Sequence, residues 1–128
     1  MVGILIGVGS FPSISYEPEP VQEIKEVKEV VVLSVKEKVE QVFFDAPEMV
    51  RIAGCESGYR HLKPDGEVLV SPTGDYGVMQ INAASHQKRM EELGLDIRDI
   101  DDNLAYARKL YDEQGSSPWV CARKLSLN

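Results

Sequence analysis

The side chain best placed to do chemistry is a glutamate, Glu56, near the end of a short amphipathic segment. Met49, Ile52, Ala53 and Glu56 recur at spacings of three and four residues, so on a helix the carboxyl group lies at the C-terminal end of an apolar stripe. A carboxyl there either points into water or is held against the core. In the second case burial disfavours the ionised form and raises the pKa, as a general acid at neutral pH requires. Periodicity alone leaves both interpretations open.

Several other polar residues are weaker candidates for a site. Asp75 directly follows a Ser-Pro-Thr-Gly turn, and Gln80 and Asn82 bring two amides to the compact apolar piece 77–82. We expect His61 and His86 at the surface, because neither has a ligand partner at a useful spacing. With two Cys, two His, and neither a CxxC nor an HExxH pattern, the sequence predicts no zinc site.

Two helices must position Glu56. A capping-box pattern, Ser34 to Glu37, predicts a helix whose inner face carries Val35, Val39, Val42 and Phe43. A second helix is predicted to start at Asp45, whose side chain can cap it. Pro47 then lies in the first turn, and the helix runs through Glu56 to a stop at Ser57 and Gly58.

The rest of the chain predicts a small β element and two more helices. Turn signals on both sides of a short strand at 67–70 suggest an irregular hairpin over 59–75. A helix is expected over 83–93, closed by Gly94, and a long one from Asp101 to a stop at Gly115, with an inner face of Leu104, Ala107, Leu110 and Tyr111. Trp119 is expected to pack back on the body. The fold class is therefore α+β, mostly helical.

The N-terminal third has a different composition. Residues 2–8 form an apolar run too short for a bilayer, which takes about 20 residues. The run suits the core of a signal peptide, although no Lys or Arg precedes it, and a short buried strand is the alternative. A Glu/Lys/Val/Pro-rich stretch over 17–33 suggests a linker or a partner-binding helix. The predicted organisation is an export or anchor segment at 1–16, a linker at 17–33 and a domain at 34–125.

Composition and charge exclude several classes of protein. The chain has 128 residues, is 43% hydrophobic and 27% charged, and its 14 Lys and Arg against 21 Asp and Glu give 14 − 21 = −7. These proportions are ordinary for a soluble globular domain. The negative charge argues against a nucleic-acid partner, because phosphate binding needs a basic face.

Three motifs in order resemble a known family. The stretches IAGCESG at 52–58, SPTGDYGVMQIN at 71–82 and NLAYA at 103–107 resemble the lysozyme-like catalytic domain of soluble lytic transglycosylases, over about residues 35–123. That family carries a Glu-Ser at a helix end and a Gly-Leu-Met-Gln-type segment about 20 residues later. Cys55 and Cys121 also resemble the cysteine pair of resuscitation-promoting factors, which is disulfide-linked.

The resemblance implies a substrate, a fold and roles for residues. It implies a lysozyme-like domain in which Glu56 protonates the β-1,4 bond between N-acetylmuramic acid and N-acetylglucosamine in peptidoglycan. The resulting carboxylate takes the proton of the muramyl 6-hydroxyl as a 1,6-anhydro ring closes. No cofactor or metal is implied, and we expect a monomer whose partner is the glycan strand. The implied substrate-binding residues are Ser57, Tyr76, Gln80, Asn82 and Tyr106.

Alternatives remain open for several of these residues. Asp75 stands where the family has a small residue; it is either a turn acid or the second carboxylate of a hydrolytic muramidase. A non-catalytic peptidoglycan-binding module is a third possibility. Ser57 is equally suited to an ordinary helix-end role, and Tyr76 and Tyr106 to packing. A disulfide between Cys55 and Cys121 would require an oxidising compartment and favours export, whereas two free thiols would suit a cytosolic protein.

Overall fold

The computed structural model describes residue 3 and residues 30–127. The predicted export segment and most of the predicted linker lie outside these residues. The chain divides into two units, Met1–Val31 and Val32–Asn128. Residues 30–127 form five helices and one two-stranded antiparallel sheet, in the order α1 (Val35–Val42), α2 (Pro47–Ser57), β1 (Asp75–Tyr76), β2 (Ile81–Asn82), α3 (Ala83–Glu92), α4 (Ile100–Gln114) and α5 (Val120–Lys124).

The first helix forms as its sequence predicts. The Ser34 hydroxyl accepts a hydrogen bond from the Glu37 N–H, and the Glu37 carboxylate accepts one from the Ser34 N–H, so the capping box is complete. Val39 and Phe43 are buried, with Val35 and Val42 partly buried beside them. The predicted inner face is confirmed.

The second helix ends where predicted but is capped differently. It stops at Ser57, followed by Gly58 in the left-handed conformation (φ 63°) that favours glycine. At its other end the cap residue is Ala46, which offers no side-chain hydrogen bond, so the expected Asp45 cap is wrong. The reason is a competing partner, since the Asp45 carboxylate accepts two hydrogen bonds from the guanidinium of Arg108 on α4.

The small sheet lies further along the chain than predicted. The expected strand at 67–70 does not form as a regular strand, because this segment makes only isolated antiparallel bridges, Leu62 with Val68 and Val70 with Tyr76. The irregular hairpin expected over 59–75 is therefore present only as these bridges. Leu62 and Val70 remain 52% and 41% exposed. With no apolar face to bury, the segment has little reason to form a ladder. The hairpin instead pairs β1 with β2, in the register Asp75 with Asn82 and Tyr76 with Ile81.

The last three helices complete the core. Asn82 caps α3 through the Ser85 N–H, and Asp99 caps α4 through the Asp102 N–H, slightly before the predicted start. Among residues 30–127, no helix has both the length and the apolar character needed to cross a bilayer. The fold class α+β is confirmed. The buried apolar cluster joins all five helices and the turn after β1. Its largest members are Tyr106, Phe43, Met49, Ile52, Met79, Met90, Leu104 and Leu110.

Candidate active site

An open groove lies between the C-terminal half of α2, the hairpin, α3 and the start of α5. It encloses about 110 Å³, less than the roughly 300–1,000 Å³ of sites that enclose a drug-sized molecule. A long ligand would therefore place one part in the groove and lie across the open surface elsewhere. The lining residues are Glu56, Asp75, Gln80, Ile81, Asn82, His86, Leu110, Pro118, Trp119 and Val120.

Glu56 is half-buried in the wall of this groove. Burial raises the pKa of its carboxyl, and the nearby negative charge of Asp75 adds to the rise, while the Cys121 N–H and Lys124 act in the opposite direction. The Cys121 N–H donates a hydrogen bond to Oε1 at 3.1 Å. Periodicity left open whether the carboxyl points into water or lies against the core, and the half-buried position lies between the two. Because its pKa is raised, the carboxyl keeps its proton to a higher pH than a solvated glutamate.

A disulfide fixes the residue whose backbone N–H donates this hydrogen bond. Cys55 and Cys121 are bonded across a sequence separation of 66 residues, with their Cα atoms 6.0 Å apart. The expected pairing is present, and the alternative of two free thiols is wrong. Because Cys55 immediately precedes Glu56, the bridge joins α2 to α5 beside the carboxyl. The residue that supplies the second sulfur also supplies the N–H that contacts Oε1.

Asp75 lies in the same groove but is held by its own loop. Its Oδ2 accepts hydrogen bonds from the hydroxyls of Ser71 (2.7 Å) and Thr73 (2.5 Å), and its Oδ1 accepts one from the Asn82 amide at 3.0 Å. Burial acts to raise the pKa of Asp75, but these three hydrogen bonds outweigh it, so the pKa lies below its usual value. Three of about four lone-pair sites on the carboxylate are occupied. Asp75 is therefore a fixed negative charge.

The two amides predicted for the cleft both line the groove, but they also serve the fold. Gln80 donates from Nε2 to the Gly77 carbonyl at 2.9 Å. Asn82 caps α3 through Oδ1, and its Nδ2 donates to the Thr73 carbonyl as well as to Asp75. Gln80 has φ 50°, in the left-handed region that non-glycine residues seldom occupy. Such strain persists only where neighbours hold the backbone in place.

Three buried side chains hold that turn. His61 accepts a hydrogen bond from the Val78 N–H at Nδ1, and its Nε2 donates to the Arg98 carbonyl at 2.7 Å. Asn103 accepts from the Met79 N–H, and the Trp119 indole donates to the Met79 carbonyl at 2.9 Å. The expectation that His61 lies at the surface is wrong, since it is 4% exposed. Trp119 is buried as expected.

Three of the predicted binding residues lie outside the groove lining. Ser57 is buried, and its hydroxyl donates to the Ala53 carbonyl and accepts from the Arg60 N–H, which is the helix-end role. Tyr106 is fully buried, so a stacking role against a sugar is wrong for this ring. The Tyr76 ring packs under the guanidinium of Arg98, 5.4 Å from the ring centroid.

His86, which was expected at the surface, lines the groove. It is half-buried, and it lies four residues after Asn82, so both project from the same side of the start of α3. That spacing is the signal that could have identified it. Pro118, Leu110 and Val120 carried no such signal, because only the tertiary structure brings them to the groove.

The arrangement can donate a proton to a ligand and stabilise positive charge next to it. Glu56 is the candidate proton source, and Asp75 is a fixed anion in the same groove. Within residues 30–127, no cluster of three or more His, Cys, Asp or Glu side chains could hold a metal ion. Comparison of the chain with protein-family models, curated proteins and solved structures gives no match.

Proposed function

We propose that this protein is a peptidoglycan lytic transglycosylase with a lysozyme-like catalytic domain. The substrate comes from the resemblance of residues 52–58, 71–82 and 103–107 to that family. The observation that carries the proposal is the position of Glu56, half-buried in a groove with its pKa raised by burial and by Asp75. That position favours the protonated form of the carboxyl, which the first step of the reaction requires.

The reaction uses Glu56 twice. Its proton passes to the oxygen that bridges N-acetylmuramic acid and N-acetylglucosamine as the bond to the anomeric carbon breaks. The sugar gains oxocarbenium character, and the Asp75 carboxylate stabilises that positive charge electrostatically. The Glu56 carboxylate then takes the proton of the muramyl 6-hydroxyl, whose oxygen bonds to the anomeric carbon. The products are a 1,6-anhydro-muramyl end and a free N-acetylglucosamine end, and Glu56 is again protonated.

Hydrolysis is the second candidate, because Asp75 shares the groove with Glu56. A muramidase would use Asp75 as nucleophile or as base for a water molecule. The hydroxyls of Ser71 and Thr73 and the amide of Asn82 occupy most of its lone pairs, which weakens it in both roles. We therefore favour the route in which Asp75 acts only through its charge and the sugar supplies its own nucleophile.

The disulfide bears on where the reaction takes place. A disulfide persists in an oxidising compartment, and peptidoglycan lies outside the cytoplasmic membrane. Export to the periplasm, the cell wall or the medium is therefore part of the proposal. The apolar run at 2–8 is the candidate export or membrane-anchoring segment.

Digestion of purified sacculi tests the proposal. Mass spectrometry of the released fragments is expected to find muramyl ends one water lighter than hydrolytic products. Glu56→Gln should abolish release, while the matched control Glu92→Gln, at an exposed glutamate of α3, should release fragments at the wild-type rate. Reducing muramyl ends alone would make the protein a muramidase. Sacculus binding without any release would leave the binding-module alternative.

A further inference from the structure

His86 is the one imidazole among the described residues that lines the groove, and the reaction above does not use it. Its Nδ1 lies 2.8 Å from the hydroxyl of Tyr106, and the two rings meet edge to face with centroids 5.4 Å apart. Within residues 30–127, its Nε2 makes no hydrogen bond, and it is not a buried unsatisfied atom either. Nε2 is therefore accessible, on a residue that lines the groove.

The hydroxyl of Tyr106 decides which nitrogen of His86 carries the hydrogen. Tyr106 is fully buried, and in the described part of the chain its hydroxyl contacts His86 and Arg89. The Arg89 guanidinium can only donate, so His86 is the acceptor available to the phenolic proton. If Nδ1 carried the hydrogen, the buried phenolic proton would have no acceptor, which is unfavourable. The hydroxyl therefore donates to Nδ1, and the neutral imidazole carries its hydrogen on Nε2.

Burial keeps both groups in these forms, with Arg89 acting in the same direction on His86 and in the opposite direction on Tyr106. Arg89 lies over the Tyr106 ring, 5.8 Å from its centroid, and is held by two hydrogen bonds of 2.8 and 2.7 Å to Glu113. Burial lowers the pKa of His86, and the positive charge of Arg89 lowers it further, so the imidazole stays neutral at neutral pH. Burial also raises the pKa of Tyr106, which keeps the phenol protonated as a donor.

We propose that His86 is a ligand-orienting residue whose tautomer is fixed by Tyr106, so that Nε2–H donates a hydrogen bond to an acceptor oxygen of an N-acetylated sugar in the groove. The identity of the ligand rests on the proposed function, whereas the tautomer does not. A fixed donor on the α3 side and the acid of Glu56 on the α2 side would hold a sugar between them. Such a contact sets the orientation of the ring relative to the proton donor.

Nuclear magnetic resonance of the free protein tests the tautomer. The chain has two histidines, so a His61→Asn variant assigns the signals. Two-bond and three-bond ¹⁵N–¹H correlations at neutral pH are expected to show His86 with its hydrogen on Nε2. In Tyr106→Phe the imidazole should become a mixture of both tautomers. A wild-type His86 protonated on Nδ1 would overturn the inference.

Binding of the N-acetylglucosamine trisaccharide tests the role. The only tryptophan, Trp119, lines the groove, so its fluorescence reports binding, and the Glu56→Gln background prevents turnover. Adding His86→Leu together with Tyr106→Phe removes the donor without leaving a buried hydroxyl unpaired, and thermal unfolding checks the fold. We expect this triple variant to bind about tenfold more weakly, the effect of one lost hydrogen bond to a buried group.

The outcomes separate this inference from the proposed function. Equal affinity with and without His86 would overturn the inference even if sacculi are cleaved. No fluorescence change on adding trisaccharide to the Glu56→Gln protein would overturn it as well. Weakened binding in the triple variant, combined with intact sacculi after incubation with wild type, would support the sugar contact and refute the enzyme.

Discussion

Breaking the disulfide is expected to remove much of the stability of the domain. The bridge closes a loop across 66 residues, and in the chain-entropy model a loop of this length is worth about 4 kcal/mol. The total stability of a domain is roughly 5–15 kcal/mol. With about 4–8 °C of melting temperature per kcal/mol for a domain of this size, the loss corresponds to a fall of about 15–30 °C. We expect the Cys55→Ser, Cys121→Ser protein to be folded only marginally at 37 °C.

Urea unfolding followed by Trp119 fluorescence measures this effect. For a slope of about 2 kcal/mol per molar urea, the midpoint should fall by about 2 M between the oxidised protein and the double serine variant. Adding a reductant should lower the midpoint of the oxidised protein in the same way and leave the double variant unchanged, which controls for other effects of the reagent. A shift below about 0.5 M, or free thiols titrated in the native protein, would refute the assignment of the bridge as the main support of α5.

Four further predictions concern the groove and its turn. Sacculus cleavage should fall as the pH rises through the pKa of Glu56, which lies above the ordinary glutamate value of 4.5. Cleavage should also fall at low pH as Asp75 gains a proton, but only below the ordinary aspartate pKa of 3.8. A pH–rate profile without an alkaline decline would contradict the assigned acid. Ionisation of Glu56 destabilises the fold as the pH rises, so Glu56→Gln should raise the urea midpoint at neutral pH. In Gly77→Ala the added Cβ would lie 2.5 Å from the His61 ring at φ +71°, so a loss of about 2 kcal/mol or more is expected in urea unfolding. Gln80→Gly removes left-handed strain but adds backbone entropy to the unfolded chain, so the free energy of unfolding should change by less than about 1 kcal/mol. Trisaccharide affinity should fall in this variant. Unchanged affinity would exclude the Gln80 amide as a ligand contact.

The features of the fold that the sequence predicted are those set by neighbours along the chain. The capping box at Ser34 depends on contacts three residues apart, and the stop at Gly58 depends on one left-handed glycine. The placement of Glu56 follows the same logic, because the periodicity of α2 fixes which side of the helix the carboxyl takes. The burial of the Glu56 carboxyl could not be predicted from the neighbouring residues, since it depends on the packing of α5.

The wrong predictions for His61 and Asp45 concern contacts between residues that are distant in the sequence. His61 was expected at the surface, yet it is buried. Its ring is hydrogen-bonded to Val78, 17 residues away, and to Arg98, 37 residues away. Asp45 was expected to cap α2, yet it pairs with Arg108, 63 residues away. In each case the polar side chain bonds to a residue far away in the sequence. A single sequence does not show which distant residue a polar side chain will contact.

Acid strength and stability are coupled in this domain through the short helix α5. Burial raises the pKa of Glu56, while the hydrogen bond from the Cys121 N–H acts against that rise. The proton affinity of the acid therefore depends on how firmly α5 is held against α2. A helix of five residues has little stability of its own, because nucleation is unfavourable and few internal hydrogen bonds follow. The disulfide compensates for this at the residue next to the acid, so one covalent bond holds the helix and sets the environment of the carboxyl.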